Sequence, residues 1–77
     1  MNTPPRAISG RRVIRALERA GFVVERVKGS HNILVDPNEP GRSVIVPVHA
    51  GRDLKFGTLR SIVRQAGMSY DEFLALL

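Results

Sequence analysis

The sequence predicts a small α+β domain in which helices pack on one face of a three-stranded antiparallel sheet. Three observations indicate this class. Two segments carry apolar residues at helical spacing, three segments are rich in valine and isoleucine, and polar turns with glycine or proline separate most of them. Their order is helix, three strands, helix and a further short helix. With 77 residues the chain has room for one domain, which we place at residues 9–77 after a tail of residues 1–8.

The first helix is predicted to begin after Ser9, a favoured N-cap residue. Val13 and Leu17 follow at helical spacing, and Gly21 stands where a helix commonly ends. The outward positions carry the arginines Arg11, Arg12, Arg15 and Arg19. Such a row is either a solvated basic face or a phosphate-binding surface.

The predicted strands cover residues 22–28, 31–35 and 43–48. Gly29 and Ser30 interrupt the first two and indicate a hairpin or a bulge. Pro47 marks the last strand as an edge or as a strand that ends there.

Alternation along the second strand assigns its side chains to two faces of the sheet. One face has His31, Ile33 and Val35, and the other has Asn32 and Leu34. Both faces are partly apolar, so the pattern does not indicate which of them the helices cover.

Residues 49–55 are predicted to be a surface loop. A second amphipathic helix follows, whose apolar positions are Leu59, Ile62, Val63 and Ala66 and whose other face carries Arg60 and Arg64. Ser69 is followed three residues later by Glu72, which is the pattern of a capping box at the start of a short last helix.

The composition restricts the function. Twelve Lys and Arg against seven Asp and Glu give a net charge of +5, which favours an anionic partner and makes nucleic acid the leading candidate. The absence of cysteine excludes disulfides and thiolate catalysis within this chain. No apolar run is long enough to span a membrane and no signal-peptide core opens the chain, so we expect a cytoplasmic protein.

His31 and His49 are the only side chains of types whose unperturbed pKa lies near neutral. His31 has a cation and a hydroxyl nearby, Lys28 and Ser30, but an ordinary strand histidine would fit the pattern too. His49 follows a strand end and is either a loop residue or a partner in proton transfer. The two are 18 positions apart, which fits no usual zinc-ligand spacing, and so small a chain has no room for a deep cofactor cavity. We therefore expect no metal and no cofactor.

Four short motifs occur in order along the chain. They are Ala20-Gly21-Phe22, Lys28-Gly29-Ser30-His31, Val46-Pro47-Val48-His49 and Gly57-Thr58-Leu59-Arg60, the last continued by Ile62 and Gln65-Ala66-Gly67. In this order and spacing the chain resembles the HicA toxins, also called the YcfA-like family, which are small mRNA interferases of bacterial and archaeal toxin–antitoxin pairs. The resemblance covers residues 9–77 and implies a fold like that of double-stranded-RNA-binding domains, which have the same order of elements.

The resemblance implies the toxin of a type II toxin–antitoxin system, an endoribonuclease that cleaves mRNA with one essential histidine, His31. Lys28, Gly29 and Ser30 would support this site. Beside the resemblance, the charge pattern assigns RNA binding to the arginines Arg11, Arg12, Arg15, Arg60 and Arg64. A HicB-type antitoxin is the implied protein partner, and a site this shallow would be inhibited by a partner that covers it.

The chain departs from the family pattern at two positions. Members commonly have a second histidine directly after the first, where this chain has Asn32, so His31 is the sole imidazole of its motif. Members often have proline where this chain has Phe56, which changes how the second helix begins. Two other functions stay open: a non-catalytic RNA-binding module, and a basic domain that binds an acidic protein.

Overall fold

Three helices and three strands make up the part of the chain, residues 8–77, that this computed structural model describes. In order they are α1 (Gly10–Arg19), β1 (Val23–Lys28), β2 (His31–Val35), β3 (Ser43–Pro47), α2 (Phe56–Gln65) and α3 (Tyr70–Ala75). The predicted α+β class and the predicted order of elements are confirmed. Most of the predicted tail, residues 1–7, lies outside the described residues.

The strands form one antiparallel sheet in the order β1-β2-β3. Leu34 pairs with Val44, and both side chains are fully buried together with that of Val46. The helices therefore cover this face. On the opposite face Ile45 is 46% exposed, and His31 lies on the same side because it alternates with Leu34. We call this uncovered side the open face.

The predicted break at Gly29 is a two-residue hairpin turn that joins Lys28 to His31. Gly29 has a φ of +59°, the positive value that the first central residue of a type II′ turn requires. The sheet also has a bulge, but it lies within β1, where the register shifts between Val24 and Arg26.

Two boundary predictions need correction. Ile8, assigned to the tail, is 1% exposed, and Leu54, assigned to a surface loop, is 8% exposed. The Leu54 N–H donates to the Ile8 carbonyl at 2.8 Å, and Ser9 and Asp53 form an isolated antiparallel β-bridge next to this hydrogen bond. The two segments pair across 43 intervening positions, residues 10–52, and this contact buries two apolar side chains that no local pattern marks as core.

The start of α1 packs tightly against the end of β3. The Ser9 hydroxyl accepts a hydrogen bond from the Arg12 N–H at 3.2 Å, which confirms the predicted N-cap. Gly10 follows, and a Cβ there would lie 2.5 Å from the Pro47 carbonyl oxygen and 3.0 Å from a Val48 methyl carbon. Only glycine allows this close approach, which holds α1 beside the β1–β2 hairpin.

The second helix starts earlier than its apolar pattern suggests, at Phe56. This is the first helical position, where proline is well tolerated, so a proline in place of Phe56 would be compatible with the start of α2. None of the helices within residues 8–77 is long and apolar enough to cross a membrane.

The capping box of α3 is confirmed by both of its hydrogen bonds. The Glu72 N–H donates to the Ser69 hydroxyl at 3.1 Å, and the Ser69 N–H donates to the Glu72 carboxylate at 2.7 Å. The second bond lowers the pKa of the Glu72 carboxyl, so its contribution to stability is present above the ordinary pKa and is lost as the pH falls through the lowered value. Phe73 is fully buried, which makes α3 a packing element of the domain.

Candidate functional site

His31 is the first residue of β2 and is exposed on the open face. Its cross-strand neighbours are Lys28 on β1 and Pro47 on β3. Residues directly opposite each other in an antiparallel pair have Cβ atoms about 5 Å apart and share a face. His31 and Lys28 are therefore neighbours on an exposed surface that a polyanion can reach.

Two features hold the hairpin that carries His31. The Ser30 carbonyl accepts a hydrogen bond from the Val48 N–H at 2.7 Å, which ties the turn to the segment after β3. The positive φ of Gly29 closes the turn, and no atom lies within 4 Å of where a Gly29 Cβ would be. The turn is thus anchored on one side and open on the other.

Arg11 is the predicted RNA-binding arginine that the fold brings to the hairpin. It is the second residue of α1 and lines a groove whose opposite side includes Gly29 and Ser30. This approach follows from the close packing of Gly10 on the end of β3. Arg11 therefore approaches the hairpin from the side of Asn32, whereas Lys28 and His31 lie on the open face.

The other predicted arginines are exposed but lie elsewhere. Arg12, Arg15 and Arg19 line a separate surface pocket. The Arg19 guanidinium donates a hydrogen bond to the Leu76 carbonyl at 2.7 Å. On α2, the Arg60 guanidinium lies 5.8 Å from the centre of the Phe56 ring, and Arg64 is in the last turn. The five arginines are thus distributed over α1 and α2, and Arg11 lines a different pocket from Arg12 and Arg15.

None of these five arginines forms an ion pair with a carboxylate within residues 8–77. Within residues 8–77 the one ion pair joins Arg42 to Glu39 at 2.6 Å, so Lys28 and Arg11 keep their charges available for a ligand. The same residues contain no group of three histidine or carboxylate side chains placed to hold a metal ion.

His49 is exposed in the loop after β3 and lines a different hollow, with Gly10 and Asp53. His31 does not line it. Neither imidazole forms a hydrogen bond with another residue of the described chain. The structure therefore does not join the two histidines into a hydrogen-bonded pair.

The sequence reasoning missed one part of this region, the groove between α1 and the hairpin. Besides Arg11, its lining includes Ile14 of α1, Asn32 of β2 and Val48. Alternation along β2 already placed Asn32 on the side opposite His31. The approach of α1 to that side could not be predicted, because it depends on contacts between distant segments.

Comparison with protein families gives one match. A family model described as the HicA toxin of bacterial toxin–antitoxin systems matches residues 10–68. The matched span runs from the start of α1 through the hairpin to the end of α2, and so includes His31 and its neighbours. No match was found among curated proteins. Because the match covers well over half of the chain, and the fold agrees with it, this protein belongs to the HicA toxin family of bacterial toxin–antitoxin systems.

Proposed function

We propose that this toxin is an mRNA interferase that cleaves RNA without a metal ion, with His31 as its catalytic residue. The observation that carries the proposal is the position of His31: an exposed imidazole on the open face, beside Lys28 and one residue from an open turn. A solvent-facing histidine next to an unpaired cation has no evident role in the packing of the domain. Its imidazole can act as the general base that removes the proton from a ribose 2′-hydroxyl when this hydroxyl attacks the adjacent phosphodiester.

In the proposed reaction the His31 imidazole takes the proton from a ribose 2′-hydroxyl. The 2′ oxygen bonds to phosphorus, the bond from phosphorus to the 5′ oxygen breaks, and the departing oxygen takes a proton from water. The products are a 2′,3′-cyclic phosphate and a 5′-hydroxyl. Imidazole suits the first step because its unperturbed pKa, about 6.5, leaves a large neutral fraction near pH 7.

Lys28 would stabilise the negative charge that develops on the phosphorane oxygens, and Arg11 would bind a neighbouring phosphate from the other side of the hairpin. Lys28 is the direct cross-strand neighbour of His31, and Arg11 reaches the same hairpin from α1. Cations aimed at developing charge favour the transition state over the ground state. Ser30 directly precedes His31 in the turn, and its hydroxyl would donate to a phosphate oxygen.

Replacing the 2′-hydroxyl of the substrate tests this chemistry. An RNA with a single 2′-deoxynucleotide at a mapped cleavage site should be cut normally elsewhere and not at that position, because the attacking group is absent. The measurement is gel mapping of the cleavage products, with an assay for cyclic phosphate at their 3′ ends. Cleavage at the deoxy position would show that water, and not the ribose, attacks the phosphorus.

RNA binding should depend steeply on salt. Each phosphate contact on a single strand contributes a log–log slope of about 0.7, because bound counterions are released. The log–log slope of RNA affinity against salt should be smaller for Arg11→Gln than for the parent, by about that amount. Arg42→Gln is the matched control, since this guanidinium is already occupied by Glu39 and the Gln65 carbonyl, and its slope should stay at the parental value. Binding of the parent that is flat between low and physiological salt would mean that the arginines are merely solvated.

The antitoxin partner, which we take to be of the HicB type, should cover the open face. This face combines half-exposed apolar side chains, Val23 and Ile45, with the positive charges of Arg26 and Lys28. An acidic partner with an apolar centre is complementary to it, and a standard interface of about 800 Å² per partner placed there would cover His31 as well. RNA and antitoxin would then compete for one surface in the cytoplasm.

A further inference from the structure

The groove missed by the sequence reasoning lies on the helix-covered side of the sheet, between α1 and the hairpin. Its volume is about 240 Å³ and it opens to solvent. Asn32 lies on one of its sides, and Ile14 of α1 lies on another. Val27 is the cross-strand partner of Asn32 and is 61% exposed, although it is an apolar residue on the side of the sheet that the helices cover.

The chemistry of the groove suits a nucleobase. Ile14, Val27 and Val48 offer apolar surface for the flat faces of a ring. The Asn32 side-chain amide forms no hydrogen bond with any residue of 8–77, although Asn32 is partly buried. An amide has donors and an acceptor that can pair with the edge of a base, and RNA-binding proteins read unstacked bases in this way. Arg11 at the rim supplies positive charge for the phosphate of the same nucleotide.

The groove and His31 lie on the two sides of one strand. His31 and Asn32 are consecutive in β2, so their side chains point to opposite faces. The Gly29–Ser30 turn lies between the two faces. Gly29 has no side chain, and no atom lies within 4 Å of where its Cβ would be. An RNA strand that passes over this turn can present a phosphate to His31 and the adjacent base to the groove.

We propose that this groove is a nucleobase subsite and that Asn32 is its specificity-determining residue. The inference rests on the proposed function, since it takes His31 to mark the position of the cleaved phosphate. Asparagine recurrently pairs with adenine through two hydrogen bonds, because adenine N7 accepts and N6 donates on one edge of the base. Asn32 would therefore direct cleavage to phosphates next to adenine.

The test maps cleavage sites in a randomised RNA by sequencing the product ends. Asn32→Leu keeps the size of the side chain and removes its hydrogen bonds, so the preference for one base should fall by about 5- to 150-fold, the range of one bidentate amide–base pair. Asn32→Asp loses the donor and should shift the preference towards cytosine, whose amino group donates to a carboxylate. Asn38→Leu and Asn38→Asp are the matched controls, because Asn38 is in the exposed turn between β2 and β3. Their cleavage sites should match those of the parent.

A binding measurement keeps the test independent of catalysis. Short 2′-O-methyl oligonucleotides, which lack the attacking hydroxyl, are titrated onto the parent and onto Asn32→Leu. The parent should prefer the adenine-containing oligonucleotide and the variant should not. Unchanged base preference in both assays would overturn the subsite, while His31-dependent cleavage would leave the proposed function standing. If the parent prefers adenine but does not cleave, the proposed function fails and the subsite stands.

Discussion

Expression of this toxin should arrest growth and shorten cellular mRNA, and replacing His31 with alanine should abolish both effects. A positioned general base contributes about 10²- to 10⁴-fold to a reaction rate, and the variant loses that group entirely. The measurement is growth after induction together with the length distribution of total mRNA. Surface substitutions of this kind rarely change stability by more than about 0.5 kcal/mol, so the variant should unfold at nearly the parental denaturant concentration.

The matched control for this experiment is Ser43→Ala. Ser43 lies in β3 on the same open face, and like His31 it is exposed. The Ser43→Ala variant should arrest growth as the parent does. If His31→Ala is expressed at the parental level and remains equally toxic, then His31 is not the catalytic group.

Replacing Phe73 with alanine should have the largest effect on stability. Phe73 is fully buried, and truncation of a buried phenylalanine to alanine costs about 3–5 kcal/mol. A domain of this length has a total unfolding free energy of roughly 4–12 kcal/mol, so the variant should be marginally folded or unfolded at 37 °C. Urea denaturation followed by circular dichroism measures the loss.

The comparison variant is Leu74→Ala, in the same helix. Leu74 is only partly buried, so its truncation should cost about 1 kcal/mol. Phe73 lies outside the span that the HicA family model matches. Equal stabilities for the two variants would mean that α3 is a loosely attached segment and not part of the domain core.

Features with local causes could be predicted from the sequence. The N-cap at Ser9, the capping box at Ser69 and the break at Gly29 each depend on residues at most three positions apart, and all three are present in the structure. The hairpin that carries His31 follows from the last of these. The place of the hairpin in the chain could therefore be predicted, whereas the catalytic role of His31 comes from the family resemblance and stays a prediction.

Features that depend on distant contacts could not be predicted. The apolar Ile33 and Val35 made the open face resemble the buried one, so alternation alone did not reveal where His31 points. The burial of Ile8 against the segment before α2 has no local pattern either. The groove at Asn32 exists because Gly10 lets α1 approach the end of β3, and a glycine in a helix does not by itself indicate such an approach.

The most direct test of the central claim is RNA cleavage by the purified toxin in excess chelator. The parent, His31→Ala and His49→Ala are compared at one concentration under single-turnover conditions. We expect the parent and His49→Ala to cleave at similar rates and His31→Ala to be slower by at least about 100-fold. Loss of the parental activity in chelator, or an unchanged rate for His31→Ala, would contradict metal-independent cleavage by this histidine.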